Sequence, residues 1–319
     1  MVDKKTENDF EKLYAELSKK KEIKEKEKRM NEYIKDDSRD TLKLTLIFVI
    51  VGIFCVLIMF NIICKGFVME TYITCFILVL ILIIATIIPL SIFYGKKEKP
   101  RQMFYKKYKE EYKEEIIKRI LNEFCNDIIY SYKKGIDIKT YNESEFDGQL
   151  YESDDYIEGT YNNSKFKIAE IYTRIKTNTE QEYYTFRGML AKIELTKEFK
   201  EKVYLRMDYK VDENKDLKDL KVELDSDEFE KKFNIYATNK IVALQLLTPD
   251  IMEMLLDYSK LIIFEFTIKD GNLYIRFETG EMFERLSLDK EVLYRYYRIL
   301  KLIFELTDKL QKNIKETQY

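Results

Sequence analysis

The stretch LTLIFVIVGIFCVLIMFNIIC, from Leu44 to Cys64, holds 21 residues and no charge, and TYITCFILVLILIIATIIPLSIFY, from Thr71 to Tyr94, holds 24. Crossing the hydrocarbon core of a bilayer takes about 20 helical residues. A buried helix of a water-soluble domain keeps a polar stripe, yet Thr45, Asn61, Thr74, Thr86 and Ser91 fall on no single face. The expectation is therefore a two-helix transmembrane hairpin, turned by Lys65 to Glu70. A cleaved signal is not expected, because some forty mostly polar residues precede the first run, where a signal has only a short basic leader.

Charge sets the expected orientation. Lys35, Arg39 and Lys43 lie before the hairpin and Lys96, Lys97, Lys99 and Arg101 after it, whereas the turn carries Lys65 as its one basic residue. The positive-inside bias places both termini in the cytoplasm of a two-span protein of the cell membrane, a bacterial inner membrane by composition. Cysteine usage agrees: Cys55, Cys64 and Cys75 belong to the apolar runs, which leaves Cys125 as the lone thiol of the rest, with no disulfide framework. From Lys96 to Lys109 there are seven basic residues and one acid. Lys96, Lys97, Lys99, Arg101, Lys106, Lys107 and Lys109 are the expected contacts with anionic lipid headgroups, each worth roughly 1 kcal/mol near the surface. The same residues also suit a plain stop-transfer flank.

Four segments follow: a charged N-terminal helix over 1–41, the hairpin over 42–95, a basic and amphipathic helix over 96–134, and a cytosolic domain over 135–319. Tyr105, Tyr108, Tyr112, Ile116, Ile120, Phe124 and Ile128 recur every three or four residues, which predicts one helix to about Tyr132. Beyond Phe146 the period shortens. Segments 156–161, 165–176, 183–195, 203–209 and 220–224 are rich in Ile, Tyr, Phe and Thr and read as strands, with Gly159, Asn162, Asn163 and Ser164 as turn-formers. Asp225 to Glu228 suits the start of a helix carrying Phe229 and Phe233. Thr248-Pro249-Asp250 is an N-cap followed by proline at the first helical position. Lys269-Asp270-Gly271 joins 261–268 to 272–278 as a hairpin, and 289–312 closes the chain as a helix. The fold class is α+β: a mostly antiparallel sheet with long amphipathic helices on one face, behind the membrane hairpin.

Phe146-x-Gly148, Ile157-x-Gly159-x-Tyr161, Phe186-Arg187-Gly188, Val222-Glu223-Leu224-Asp225-Ser226 with Glu228-Phe229-Glu230-Lys231-x-Phe233, and Leu247-Thr248-Pro249 with Met252-Glu253 stand in this order. In that order they resemble the bacterial membrane-protein family known as domain of unknown function 3137 (DUF3137), over most of the chain. The resemblance implies architecture; the family has no established activity and lends no catalytic residues.

Chemistry is narrowed by what the sequence lacks. With no histidine, Ser-His and Cys-His pairs and most catalytic zinc sites are excluded, and no Gly-rich phosphate loop or paired-Cys motif occurs. No cofactor and no metal are expected, and a net charge of −2 gives no support for nucleic-acid binding. Two acidic clusters suit a hard cation: Asp154, Asp155 and Glu158, and Asp225, Asp227 and Glu228. Loop solvation and helix capping are their bland readings. Arg187, at a strand end, suits a ligand anion or a neighbouring carboxylate. The charge-free spans favour an anchor, open to homo-oligomerisation, over a pathway. The expected function is a membrane-anchored cytosolic module, without evident catalytic site, that binds a protein or small ligand. A carboxylate-based metal-dependent enzyme and an oligomeric pore are the alternatives.

Overall fold

The computed structural model describes residues 4–64, 106–107, 109–176, 182–197, 199–208, 217–283 and 287–316. The chain divides into two compact units, one formed by Met1–Lys20 with Lys113–Tyr319 and the other by Lys21–Tyr112.

The larger unit is built on one open, antiparallel sheet of nine strands: β1 (Asn126–Ser131), β2 (Gln149–Tyr161), β3 (Ser164–Lys176), β4 (Glu182–Glu194), β5 (Val203–Met207), β6 (Lys221–Val222), β7 (Phe233–Ala237), β8 (Phe264–Lys269) and β9 (Asn272–Phe277). Their spatial order is β1-β2-β3-β4-β9-β8-β5-β7-β6. Antiparallel neighbours β2-β3 and β8-β9 are joined by two-residue turns whose residues, Asn162 and Asn163, then Asp270 and Gly271, all have positive φ. Asn, Asp and Gly tolerate that conformation and match the twist of the strands.

Strand alternation gives the sheet two covered faces. Phe166, Ile168, Met189, Ala191, Ile193, Leu273, Ile275, Phe277 and Phe266 fill one. Against it lies α8 (Lys290–Glu316), whose Phe304 ring sits 4.4 Å from Tyr161 and 5.4 Å from Phe166. Helix α1 (Lys4–Lys19) packs on α8 through Phe10, 5.6 Å from Tyr297. Residues from Lys113 onward of α3 (109–121) add Ile116, Ile117, Ile120 and Leu121, all fully buried. On the opposite face, Ile136, Tyr141, Phe146 and Tyr156 close over Ala169, Ile171, Phe186, Leu190 and Tyr274. The short helix α4 (Ile138–Glu143) lies in this covering segment, capped by Asp137, which accepts from Thr140 N–H at 2.8 Å.

Helix α3 stops at residue 121, eleven short of the expected end. Asp127 takes φ +59°, and Asn126–Ser131 pairs with β2 instead. The helical spacing of Phe124 and Ile128 is fortuitous; Ile128, Ile129 and Tyr130 are strand formers. Similarly, α5 (Asp227–Glu230) is a single turn, and Phe233 begins β7 rather than continuing the helix. Helix α6 (Lys240–Leu246) follows, capped by Asn239. At α7 (Pro249–Ser259) Thr248 occupies the cap position, but its hydroxyl donates to Asp250 Oδ1 at 2.6 Å. Gly159 is not in a turn: it pairs with Phe166 near the end of β2 and faces that ring.

Gly188 ends the pairing of β4 with β9, and an added Cβ would lie 1.9 Å from the Phe277 carbonyl oxygen. Gly188→Ala is therefore expected to destabilise the unit by about 1–3 kcal/mol, the range for an overpacked site; a urea midpoint unchanged from wild type would contradict this close approach.

The second unit contains α2 (Lys21–Cys64), one unbroken helix from the charged segment into the first apolar run. Its Arg29 pairs with Glu25 at 2.9 Å, and Tyr112 donates to Glu27 at 3.3 Å. Leu46, Ile47, Val49, Ile50 and Ile53 are between 37% and 60% exposed. At 100° per residue they occupy an arc of about 160°. Among the described residues no helix is long and apolar enough to cross a membrane. The transmembrane hairpin expected above is thus unsupported as a pair of spanning helices. Helix α2 carries the first charge-free run as far as Cys64. The turn 65–70 and the second run 71–94 lie outside the described residues, as do Lys96, Lys97, Lys99 and Arg101. Lys106 and Lys107 are exposed and Lys109 is half-buried.

Candidate functional site

A bulge in β2 builds the site. Asp154 pairs with Glu170 and Ile157 with Ile168, so two residues, Asp155 and Tyr156, stand opposite Ala169 alone. Asp155 absorbs the extra residue at φ +49°. A bulge of this kind re-aims side chains next to it. Asp154, Asp155 and Glu170 consequently converge, with one carboxylate oxygen from each lying within 4.8 Å of the others.

This trio is buried between the sheet and the helices. Asp155 is fully buried and binds Lys113 of α3, whose Nζ lies 3.0 Å from Oδ2; Tyr130 of β1 donates its hydroxyl to Oδ1. Glu170 is 1% exposed and accepts from Phe283 N–H through Oε1 at 2.6 Å. Its Oε2 is buried without a hydrogen-bond partner, and so is the hydroxyl of Tyr296 on α8. Burial pushes the Glu170 carboxyl up to about 8, reinforced by the charges of Asp155 and Asp154 and opposed by the Phe283 amide. Burial likewise raises the phenols of Tyr130 and Tyr296, and both feel Asp155. One ammonium thus faces three carboxylates, and at neutral pH Glu170 holds a proton.

Asp154, half-buried, connects the trio to an open cleft of about 620 Å³ lined by Tyr132, Glu152, Asp154, Tyr172, Tyr184, Arg187 and Glu281. Arg187 is fixed on its wall: the guanidinium forms an ion pair with Glu281, donates to Tyr172 Oη at 3.2 Å and lies 4.5 Å from that ring's centre. Gly280 N–H donates to Arg187 O at 3.1 Å, which brings residues 280–283 against the middle of β4.

The acidic residues singled out from the sequence separate into three places. Asp154 and Asp155 join the buried trio. Glu158 points elsewhere, accepting from Tyr156 Oη at 2.6 Å with Lys134 at 3.8 Å. Asp225, Asp227 and Glu228 surround the start of α5, where Ser226 accepts from Phe229 N–H at 3.4 Å and Glu230 accepts from Leu224 N–H at 2.7 Å. Residues that sequence reasoning missed are Lys113, Tyr130, Glu170, Glu281 and Tyr296. Two carried a signal: Glu170 occupies the apolar face of β3 with Phe166 and Ile168, and Lys113 shares the buried stripe of α3 with Ile116, Ile117 and Ile120. The trio lacks a nucleophile-base pair; its chemistry is proton or cation binding.

No curated relative matches the chain. Among solved structures, the mycobacterial trehalose monomycolate transport factor A, TtfA, aligns at 11% identity and a TM-score of 0.31, over 55% of this chain and 88% of that one. At that score the likeness carries no argument about fold or activity. The model of the family described as "Protein of unknown function (DUF3137)" matches residues 184–312, from β4 to α8. The chain thus matches DUF3137 over six of its nine strands, β4 to β9, and most of its last helix, an extent narrower than the most-of-chain resemblance of its motifs.

Proposed function

We propose that this protein is a membrane-anchored binding module, held by its apolar N-terminal region and presenting the cleft beside β2 and β4 to a positively charged ligand. The exposed apolar arc of α2 carries the reading: Leu46, Ile47, Val49, Ile50 and Ile53, exposed among the described residues, form a surface that water disfavours and lipid accepts. The charge-free runs 44–64 and 71–94 and the basic residues 96–109 support lipid as the partner, with both termini on the cytoplasmic side. For the cleft, three carboxylates and three tyrosines around one internally paired arginine favour a cation, through Coulomb attraction and ring faces.

Alkaline carbonate extraction of membranes containing the full chain tests the anchor. The wild type is expected to remain with the lipid pellet, and Ile53→Asp, near the centre of the run 44–64, to lose most of that retention, since an acidic side chain at the centre of a spanning helix costs roughly 3 kcal/mol. A wild-type chain that washes out completely, or that stays monodisperse without detergent, would overturn the anchor.

A further inference from the structure

We infer that Asp154, Asp155 and Glu170 form a binding site for one hard divalent cation, of the calcium, magnesium or manganese class, at the floor of the cleft. The inference deepens the cleft reading by naming the cation and does not depend on how the chain meets lipid.

Geometry carries it. Three carboxylate oxygens from two adjacent strands lie within 4.8 Å of one another, close enough to share one ion. Hard cations select clustered oxygens, and the trio offers no nitrogen or sulfur. A second observation points to a ligand: the Tyr296 hydroxyl, on a side chain with no exposure, has no hydrogen-bond partner, and it lies near enough to feel the charges of Asp155 and Glu170. Glu170 Oε2 is in the same condition although Oε1 of that carboxylate is satisfied by a backbone amide. Buried polar atoms are nearly always paired, so two such atoms beside three carboxylates mark a place for an ion and the water it carries.

Each residue then has a part. Glu170 Oε2 is the oxygen left for the cation. Asp155 is oriented by Lys113 and Tyr130, which hold one oxygen each and leave further lone pairs on both. Asp154 faces both the trio and the cleft, giving the ion its route in. Tyr296 Oη is placed to donate to a water on the ion. The Lys113 ammonium is the competing cation: it offsets one of the three negative charges and weakens, without abolishing, the pull on a divalent ion.

Titration of the full chain in detergent with Mn2+, followed by calorimetry and by displacement of Tb3+ emission sensitised through tyrosine, tests the site; the chain contains no tryptophan to confuse the sensitiser. The expected result is one saturable site per chain, weakened at least tenfold by Glu170→Gln with an unchanged circular dichroism spectrum. Lys113→Met is expected to act in the opposite direction, tightening Mn2+ at least tenfold, a sign that a purely structural role for the trio would not produce. Absence of saturable binding by the wild type, or equal affinity in wild type and Glu170→Gln, overturns the site. Neither result touches the carbonate-extraction test of the anchor.

Discussion

In metal-free buffer, Glu170→Gln is expected to raise stability against urea by about 4–5 kcal/mol at pH 9 and by only about 1 kcal/mol at pH 5. The folded carboxyl is pushed up to about 8 from an ordinary 4.5. Between those values the native state holds a proton that the unfolded chain has released. Stability of the wild type therefore falls as pH rises from about 4.5 through 8 and is flat above, because the slope follows protons bound unfolded minus protons bound folded. Glutamine cannot ionise, keeps an oxygen for Phe283 N–H, and removes that slope. Urea midpoints across pH 5 to 9 check it: parallel profiles for wild type and variant would mean that the trio tolerates three charges with Lys113 alone.

How such a site escapes a reading of the sequence follows from register. Asp154, Asp155 and Glu158 are neighbours in sequence, and grouping by proximity is sound inside a helix or loop. In a strand, side chains alternate, and the third member comes from across the ladder. The bulge brings Asp155 to the same side as Asp154, and Glu170 joins from β3, sixteen residues away from Asp154. A sequence without a partner strand in view does not announce a bulge. The same limitation misplaced the end of α3, where Phe124 and Ile128 continue a helical spacing that β2 overrides by pairing with Asn126–Ser131. What was legible had a local cause. Lys269-Asp270-Gly271 turns the β8-β9 hairpin because Asp270 and Gly271 accept positive φ; Pro249 starts α7 because its missing N–H has no partner to lose there; the antiparallel α+β class follows from short alternating strands joined by tight turns. Arg187 does not end a strand, as its setting before Gly188 suggests, but stands in the middle of β4 on the cleft wall, and its partner Glu281 lies 94 residues along the chain.

Glu265→Ala is expected to destabilise the larger unit by about 3–5 kcal/mol, the usual cost of leaving one member of a buried ion pair behind. On the sheet face opposite α8, Arg276 Nε donates to Glu265 Oε2 at 2.8 Å, with Nη2 at 2.6 Å from the same oxygen, and both residues are at most 2% exposed. Glu265 Oε1 also accepts from Met207 N–H at 3.2 Å, tying β8 to the end of β5. A second guanidinium, Arg206, lies on this face and donates to Phe266 O at 2.7 Å and Thr267 Oγ1 at 3.0 Å; the Phe146 ring sits 4.9 Å from Arg206 and 4.6 Å from Arg276. Burial and the like charge of Arg276 bring Arg206 down to about 10, so it remains charged at neutral pH. Two buried cations therefore share Glu265 as their innermost counter-charge, with Asp147 3.5 Å from Arg276 at the rim. Alanine at 265 removes the charge, opens a cavity and strands Arg276. The double variant Glu265→Met/Arg276→Met replaces the pair with apolar volume and is expected to recover most of the loss, since buried pairs exchange for packed hydrophobic side chains at little net cost. Chemical unfolding of the three proteins decides it: a loss of under about 1 kcal/mol in Glu265→Ala would mean that Asp147 and water already satisfy Arg276, whereas a double variant no better than the single one would locate the stability in the salt-linked geometry itself.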